Sequence, residues 1–426
     1  MTDPSRLSAG EAAARIARGE LTSVALAEAC LARIAERERT VQAWRHIDTD
    51  QVLEQARAAD RSEPRSPLHG VPVGIKDIID TRDMPTGYGS PIYERHQPAA
   101  DASCVALLRR AGAVIMGKTV TTEFAFMTPR ETRNPHNPEH TPGGSSSGSA
   151  AAVADFMVPL GYGTQTAGSV IRPASFCGVV AYKGSFGALP MAGIKPFCPN
   201  LDTLGIFART VADTTLVRQA LAGAPGVPEL PESPPRVGIC RTYEFPEAEP
   251  CVGEALEAAA AAFAKAGATV AEVTLPAPFA GLVEAQSAVL AYEGGRAYVS
   301  EYLHSPEGLS PGIQAMIEEG LAMPYARYAD AWALGRRCQA ELAGLLGEWD
   351  TLVTPSAPGE APAGLGSTGN AVFNRMWTFL HAACVNLPVL QGPQGLPVGV
   401  QAIGAVGGDD RLLGLAAWLE RALAEA

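Results

Sequence analysis

Two short serine turns and one lysine hold the groups in this sequence that are able to do covalent chemistry. The turns, Gly143–Ser149 and Gly163–Ser169, lie in the stretch GGSSSGSAAAVADFMVPLGYGTQTAGSVIRP, residues 143–173. The lysine is Lys76, inside the apolar run Gly70-Val-Pro-Val-Gly-Ile-Lys76-Asp-Ile-Ile-Asp80. Clusters of glycine, alanine and serine suit places where the backbone must approach something closely or take positive φ. Two of them joined by a short apolar segment suggest two walls of one pocket. A serine hydroxyl becomes a nucleophile when a base takes its proton. Lysine can be that base once burial makes it neutral, whereas arginine keeps its proton. Only five of the 33 basic residues are lysines (76, 118, 183, 195 and 265), so one in an apolar strand stands out. Lowering a lysine pKa by roughly three units, from about 10.4 toward about 7, corresponds to about 4 kcal/mol, and burial in Val71–Ile79 is the available source.

Each piece alone has an ordinary explanation. A serine in such a loop is usually a cap or turn residue, which covers most of Ser145, Ser146, Ser147 and Ser149. A strand lysine is usually at an edge or snorkelling. Gly144–Gly148 matches the G-x-S-x-G elbow, but that elbow follows a strand, and here the proline-rich NPHNPEHTP (residues 134–142) precedes it. The GK[ST] ending of a phosphate loop is missing. There is no HExxH, and Pro138 separates His136 from His140, which read as surface polar residues.

Composition narrows the class. Of 426 residues, 47% are hydrophobic and 18% charged, ordinary for a chain with a substantial core. The net charge of −12 argues against a dedicated nucleic-acid surface, so no nucleic-acid partner is expected. No apolar run reaches the length of a membrane span, and Met1–Gly10 lacks a leader pattern. Eight scattered cysteines without a CxxC pair read as reduced thiols. These features predict a cytoplasmic protein without membrane, metal or cofactor, and leave a homodimer open.

The elements that must position the serines and the lysine alternate between strand and helix. Ser8–Glu11 is a capping box opening a short helix. Strands are expected at 41–47, from Gly70, at 113–116 and at 157–162. Helices are expected at 51–61, 102–112, 146–155 and 210–222. Gly223–Pro235, with five prolines, is the one evident linker and a sub-boundary within a single domain of residues 1–426. Beyond it come strand 237–240, helix 252–267, strand 269–275 and a mostly helical stretch from 278 to 346. Strand 351–354, a helix ending near 383, strand 398–403 and helix 410–424 close the chain. This order predicts an α/β fold: one large domain with a central mixed β-sheet covered by helices on both faces.

Taken together, the motifs resemble the amidase signature family. GGSSSGSAAAV and GTQTAGSVIRPASFCG are similar to its glycine/serine signature, and VGIKD to its lysine motif. DASCVALLRRAGA, the NPHN loop, LDTLGIFART, TPSAPGEAPA, STGN, NRMWT and CVNLPVLQGPQGLPVGVQ extend the likeness, which is weakest from 223 to 349. The resemblance implies amide hydrolysis through an acyl-enzyme, with Ser169 as nucleophile, Ser145 as bridging serine after a cis peptide bond, and Lys76 as base. It places an oxyanion hole at Thr166, Ala167, Gly168 and Ser169. It also implies substrate contacts from Arg172, Gly144 and Thr164. Gln165 and Ala167 stand where most members have Asp and Gly, and Arg172 lies three residues after the nucleophile, not two. That last feature is the malonamidase form, which implies a small-molecule substrate, a monoamide of a short dicarboxylic acid gripped by Arg172. The alternatives are bulkier neutral amides, anilides or carbamates, or the A-type subunit of a tRNA-dependent amidotransferase.

Overall fold

The computed structural model describes residues 3–223, 231 and 233–426. Most of the proline-rich segment 223–235 therefore lies outside the described residues. Eleven strands form one mixed sheet: β1 Trp44–His46, β2 Pro72–Lys76, β3 Val114–Thr119, β4 Leu160–Gln165, β5 Val180–Lys183, β6 Thr203–Ala208, β7 Arg236–Ile239, β8 Thr269–Glu272, β9 Thr351–Pro355, β10 Ala383–Gln391 and β11 Pro397–Gly404. Their spatial order is β1-β3-β2-β4-β6-β5-β10-β11-β9-β7-β8. β2 runs parallel to β3 and β4, and β7 parallel to β8 and β9; the other pairings are antiparallel. The fold is a single-domain α/β structure with helices on both faces, as expected. The sheet takes strands from both sides of the 223–235 segment.

Period two along the strands separates two cores. Val73 and Ile75 of β2, Leu160 and Tyr162 of β4, and Leu204 and Ile206 of β6 enter one core. Ala181 of β5 and Phe207 of β6 enter the other, with Ala150–Val153 of the helix Ser147–Ala154. The expected capping box forms: Ser8 accepts from Glu11 N, and Glu11 accepts from Ser8 N.

Three strands lack the apolar–polar alternation by which a sequence reveals a strand. β5 and β6 are buried on both faces and only four and six residues long, so both of their faces are core-facing and no polar face marks them. β10 contains Pro388, which argues against a central strand. It is tolerated because β5 pairs only with Cys384–Asn386, so at Pro388 the ladder has one partner, β11, and shifts register there. The strand expected at 157–162 lies at 160–165, which carries it directly into the second serine turn. His140 also differs from expectation: it is buried with Nδ1 on the Ala361 carbonyl. His136 is exposed, as expected, and places Nε2 on the Cys177 carbonyl, so both staple the 134–142 loop to the body.

Candidate active site

Lys76 ends β2 on the face opposite Ile75, beneath the helix Ser147–Ala154. Its Nζ lies 2.8 Å from Ser145 Oγ, 2.9 Å from Thr164 Oγ1 and 3.4 Å from the Thr164 carbonyl. The lysine is fully buried, and among the described residues no carboxylate stands within ion-pairing distance. Burial pushes its pKa well below the ordinary lysine value, and the charge of Asp202 only opposes this. The Gly144–Ser145 peptide is cis.

The neighbouring serines fasten the helix to the sheet. Ser146 Oγ bridges the Thr164 N–H and carbonyl, Ser147 Oγ donates to the Val120 carbonyl, and Ser149 Oγ donates to the Tyr162 carbonyl. A helix this close requires small residues below it. A Cβ on Gly163 would meet Ser146 Oγ and Phe207 Cε2, each at 2.6 Å. Ser146 N donates to the Ser169 carbonyl at 3.4 Å, so the two turns touch.

The second turn is held by its carbonyls. Gln286 Nε2 donates to Thr166 O at 3.0 Å, Thr378 Oγ1 to Ala167 O at 2.7 Å, and Arg172 N to Gly168 O at 3.0 Å. Gln165 Oε1 accepts from Val170 N at 2.8 Å and Ile171 N at 3.0 Å, capping the helix Ile171–Cys177. Among the described residues, the N–H groups of Ala167, Gly168 and Ser169 donate to no protein acceptor. Fixed carbonyls with free N–H groups are what stabilisation of a developing oxyanion requires. Gly168 is obligatory: a Cβ there would lie 2.5 Å from Asn374 Oδ1.

Thr166–Ser169 line a cavity of about 290 Å³, with Arg172 and Arg375 also on its wall. A larger cavity of about 410 Å³ under the helix Ala9–Ala17 is lined mainly by small apolar residues and lacks a comparable base–nucleophile pair. Ser145 is fully buried and is not among the residues that line the 290 Å³ cavity. Gly144 and Thr164, expected to touch substrate, are occupied elsewhere: Gly144 O accepts from Arg172 Nη2, and Thr164 holds Lys76. Two residues absent from the sequence-based set, Gln286 and Arg375, join the site. NRMWT contains Arg375 and was a visible signal; nothing in the helical stretch 278–346 marked Gln286. Among the described residues, no group of three or more His, Cys, Asp or Glu is arranged to hold a metal ion.

The family model for amidase matches residues 25–413. The A-type subunit of glutamyl-tRNA(Gln) amidotransferase from Thermus thermophilus is 34% identical over 98% of this chain and 98% of its own. A crystal structure of an amidase superposes with a TM-score of 0.89 at 30% identity, over 97% of this chain and 99% of that one. The peptide amidase of Stenotrophomonas maltophilia superposes with a TM-score of 0.82 at 29% identity, over 98% and 96%. The first of these relatives overturns the expectation of no nucleic-acid partner, because a protein alike over its whole length bears a tRNA-dependent name. Net charge describes the whole surface; it does not exclude a local contact or a role beside another subunit that holds RNA.

Proposed function

The chain belongs to the amidase family, hydrolases of amide carbon–nitrogen bonds, and from that premise we propose that it works through Ser169, Ser145 and Lys76. One observation carries the reading: a fully buried lysine without a carboxylate partner, 2.8 Å from a serine hydroxyl, beneath the turn that presents Ser169 to a cavity. Neutral Lys76 takes the proton of Ser145 as Ser145 takes that of Ser169, whose Oγ attacks the amide carbonyl. The N–H groups of Ala167, Gly168 and Ser169 receive the oxyanion, with Thr166 holding the start of the turn. The proton returns through Ser145 to the leaving nitrogen as the carbon–nitrogen bond breaks. Water then hydrolyses the acyl-enzyme by the same relay, restoring Ser169. Eight free, buried cysteines support a reducing, cytoplasmic setting. A fluorophosphonate should label Ser169, and labelling of another residue, or none, would refute this assignment.

Two readings of the amide follow from different observations. The whole-length relative supports an A-type subunit of a tRNA-dependent amidotransferase, freeing an amide nitrogen for transfer to glutamyl-tRNA(Gln). Co-purification with partner subunits tests it. The charge of the cavity wall supports instead the malonamidase-type reading, a monoamide of a short dicarboxylic acid.

A further inference from the structure

Two arginines line the cavity beside Ser169, and among the described residues no aspartate or glutamate does. Arg172 is already held in place. Nη1 donates to Gly369 O, and Nη2 to Gly144 O at 2.7 Å and Thr368 Oγ1 at 3.1 Å. Its Nε is buried without a partner among the described residues. These bonds fasten the turn before Ser145 to the 367–369 loop, so a two-pronged grip on a ligand would have to break them.

Arg375, on the helix Val372–Phe379, differs. Its Nη1 donates to Gln286 Oε1 at 2.7 Å and Ser287 Oγ at 3.3 Å. Nε and Nη2 have no protein acceptor among the described residues, and no carboxylate pairs with the group. That leaves one edge of a planar fork free, the geometry that meets a carboxylate bidentately. Gln286 also holds the Thr166 carbonyl, so one side chain ties this guanidinium to the turn carrying Ser169. Burial and then the like charge of Arg375 both work against the charge on Arg172. Guanidinium groups satisfied by neutral acceptors alone gain from an arriving anion. Two carboxylates behind the wall do not relieve them. Asp202 accepts from Thr166 Oγ1, Phe197 N and Cys198 N, and Glu293 from Asn200 and Tyr328.

We propose that Arg375 is the specificity-determining residue, selecting amides that carry a carboxylate and no neighbouring ammonium group. This rests on the Ser169 reading. An ammonium beside the carboxylate would face two guanidinium groups and, among the described residues lining the cavity, no acidic side chain to accept it.

Glutaramate, valeramide and glutamine test this on the full chain, since they share a carbon skeleton. The first ends in a carboxylate, the second in a methyl group, and the third adds an α-ammonium. Wild type should favour glutaramate over each of the others by about 10- to 150-fold in kcat/KM, the range for a charged hydrogen bond. Arg375→Met should collapse the glutaramate-to-valeramide ratio by a similar factor, and Arg375→Lys should restore part of it. An unchanged ratio in Arg375→Met, or a wild type that prefers glutamine, would overturn the proposal. If the variant fails to fold or none of the three turns over, protection of wild-type Ser169 from a fluorophosphonate decides. Glutarate should protect and 1,5-pentanediol should not, whereas equal protection overturns the proposal. A wild type that is not labelled at Ser169 at all would instead mark failure of the serine-hydrolase reading.

Discussion

Three of the five lysines, Lys76, Lys118 and Lys183, are fully buried in strands, so burial does not single out the proposed base. Their neighbours do. Lys118 donates to Thr86 Oγ1 and the Ile79 carbonyl and stands 3.7 Å from Asp77, and burial lowers it to about 8. Lys183 donates to the Gly184 carbonyl. Lys76 alone of the three meets a serine hydroxyl, with no carboxylate to hold its proton. Since burial favours its neutral form, kcat/KM should rise with pH through the folded-state pKa and level off below about 10.4, the ordinary lysine value. The linkage has the same sign: the unfolded chain binds the extra proton, so stability also rises with pH between those two values. A pH–rate profile on His304→Ala and His381→Ala should keep the limb; its loss would point to a Ser–His hydrolase. Ser169→Ala should abolish acylation, and Lys76→Ala should slow turnover by orders of magnitude while the fold persists. As one unit, the double variant should be scarcely slower than the worse single, and single-turnover kinetics showing full additivity would break the relay model.

The second serine turn is shaped by what surrounds it more than by its own residues. Gln165 replaces an acidic residue yet still caps the helix Ile171–Cys177 through two N–H groups, and donates to Thr378, which in turn holds Ala167 O. Gln165→Leu removes the acceptor and should cost about 1–3 kcal/mol per orphaned N–H, read as a lowered denaturation midpoint together with reduced fluorophosphonate labelling. Gln165→Asp keeps an acceptor and should retain most of both. Gly163→Ala should separate the helix Ser147–Ala154 from β4, because its Cβ has only 2.6 Å to Ser146 Oγ. Overpacking of this kind typically costs about 1–3 kcal/mol. A Gly163→Ala protein with unchanged midpoint and labelling would show that the helix can shift without disturbing the lysine.

At the scale of the whole molecule, the site is assembled from both sides of the 223–235 segment. Lys76, Ser145 and Ser169 precede it, while Gln286, Arg375 and Thr378, which hold and line the second turn, follow it. The sheet crosses the same divide where β5 pairs with β10. Fragments 1–223 and 236–426 made separately should therefore be poorly folded and unlabelled, whereas co-expression should restore Ser169 labelling. Two fragments each unfolding cooperatively on its own would contradict a single domain.

Fold class, most elements and the residues of the proposed trio were legible because they rest on short-range signals: alternating strand and helix patterns, small-residue turns, and a lysine where arginine is the habit. Pro388 in β10 and the short strands β5 and β6 were not, since burial on both faces and pairing partners override local pattern. The division of labour between arginines was likewise hidden. Arg172 follows the signature directly, but only tertiary contacts show its terminal nitrogens bound to Gly144, Thr368 and Gly369. Arg375, 206 residues beyond Ser169 in sequence, reaches the same cavity because the helix Val372–Phe379 packs on the helix Leu282–Ala297 that carries Gln286. Covalent chemistry needs particular residue types at close spacing, which a sequence displays. Which donors remain free for a substrate depends on every acceptor the folded chain brings near them, and that is decided only in three dimensions.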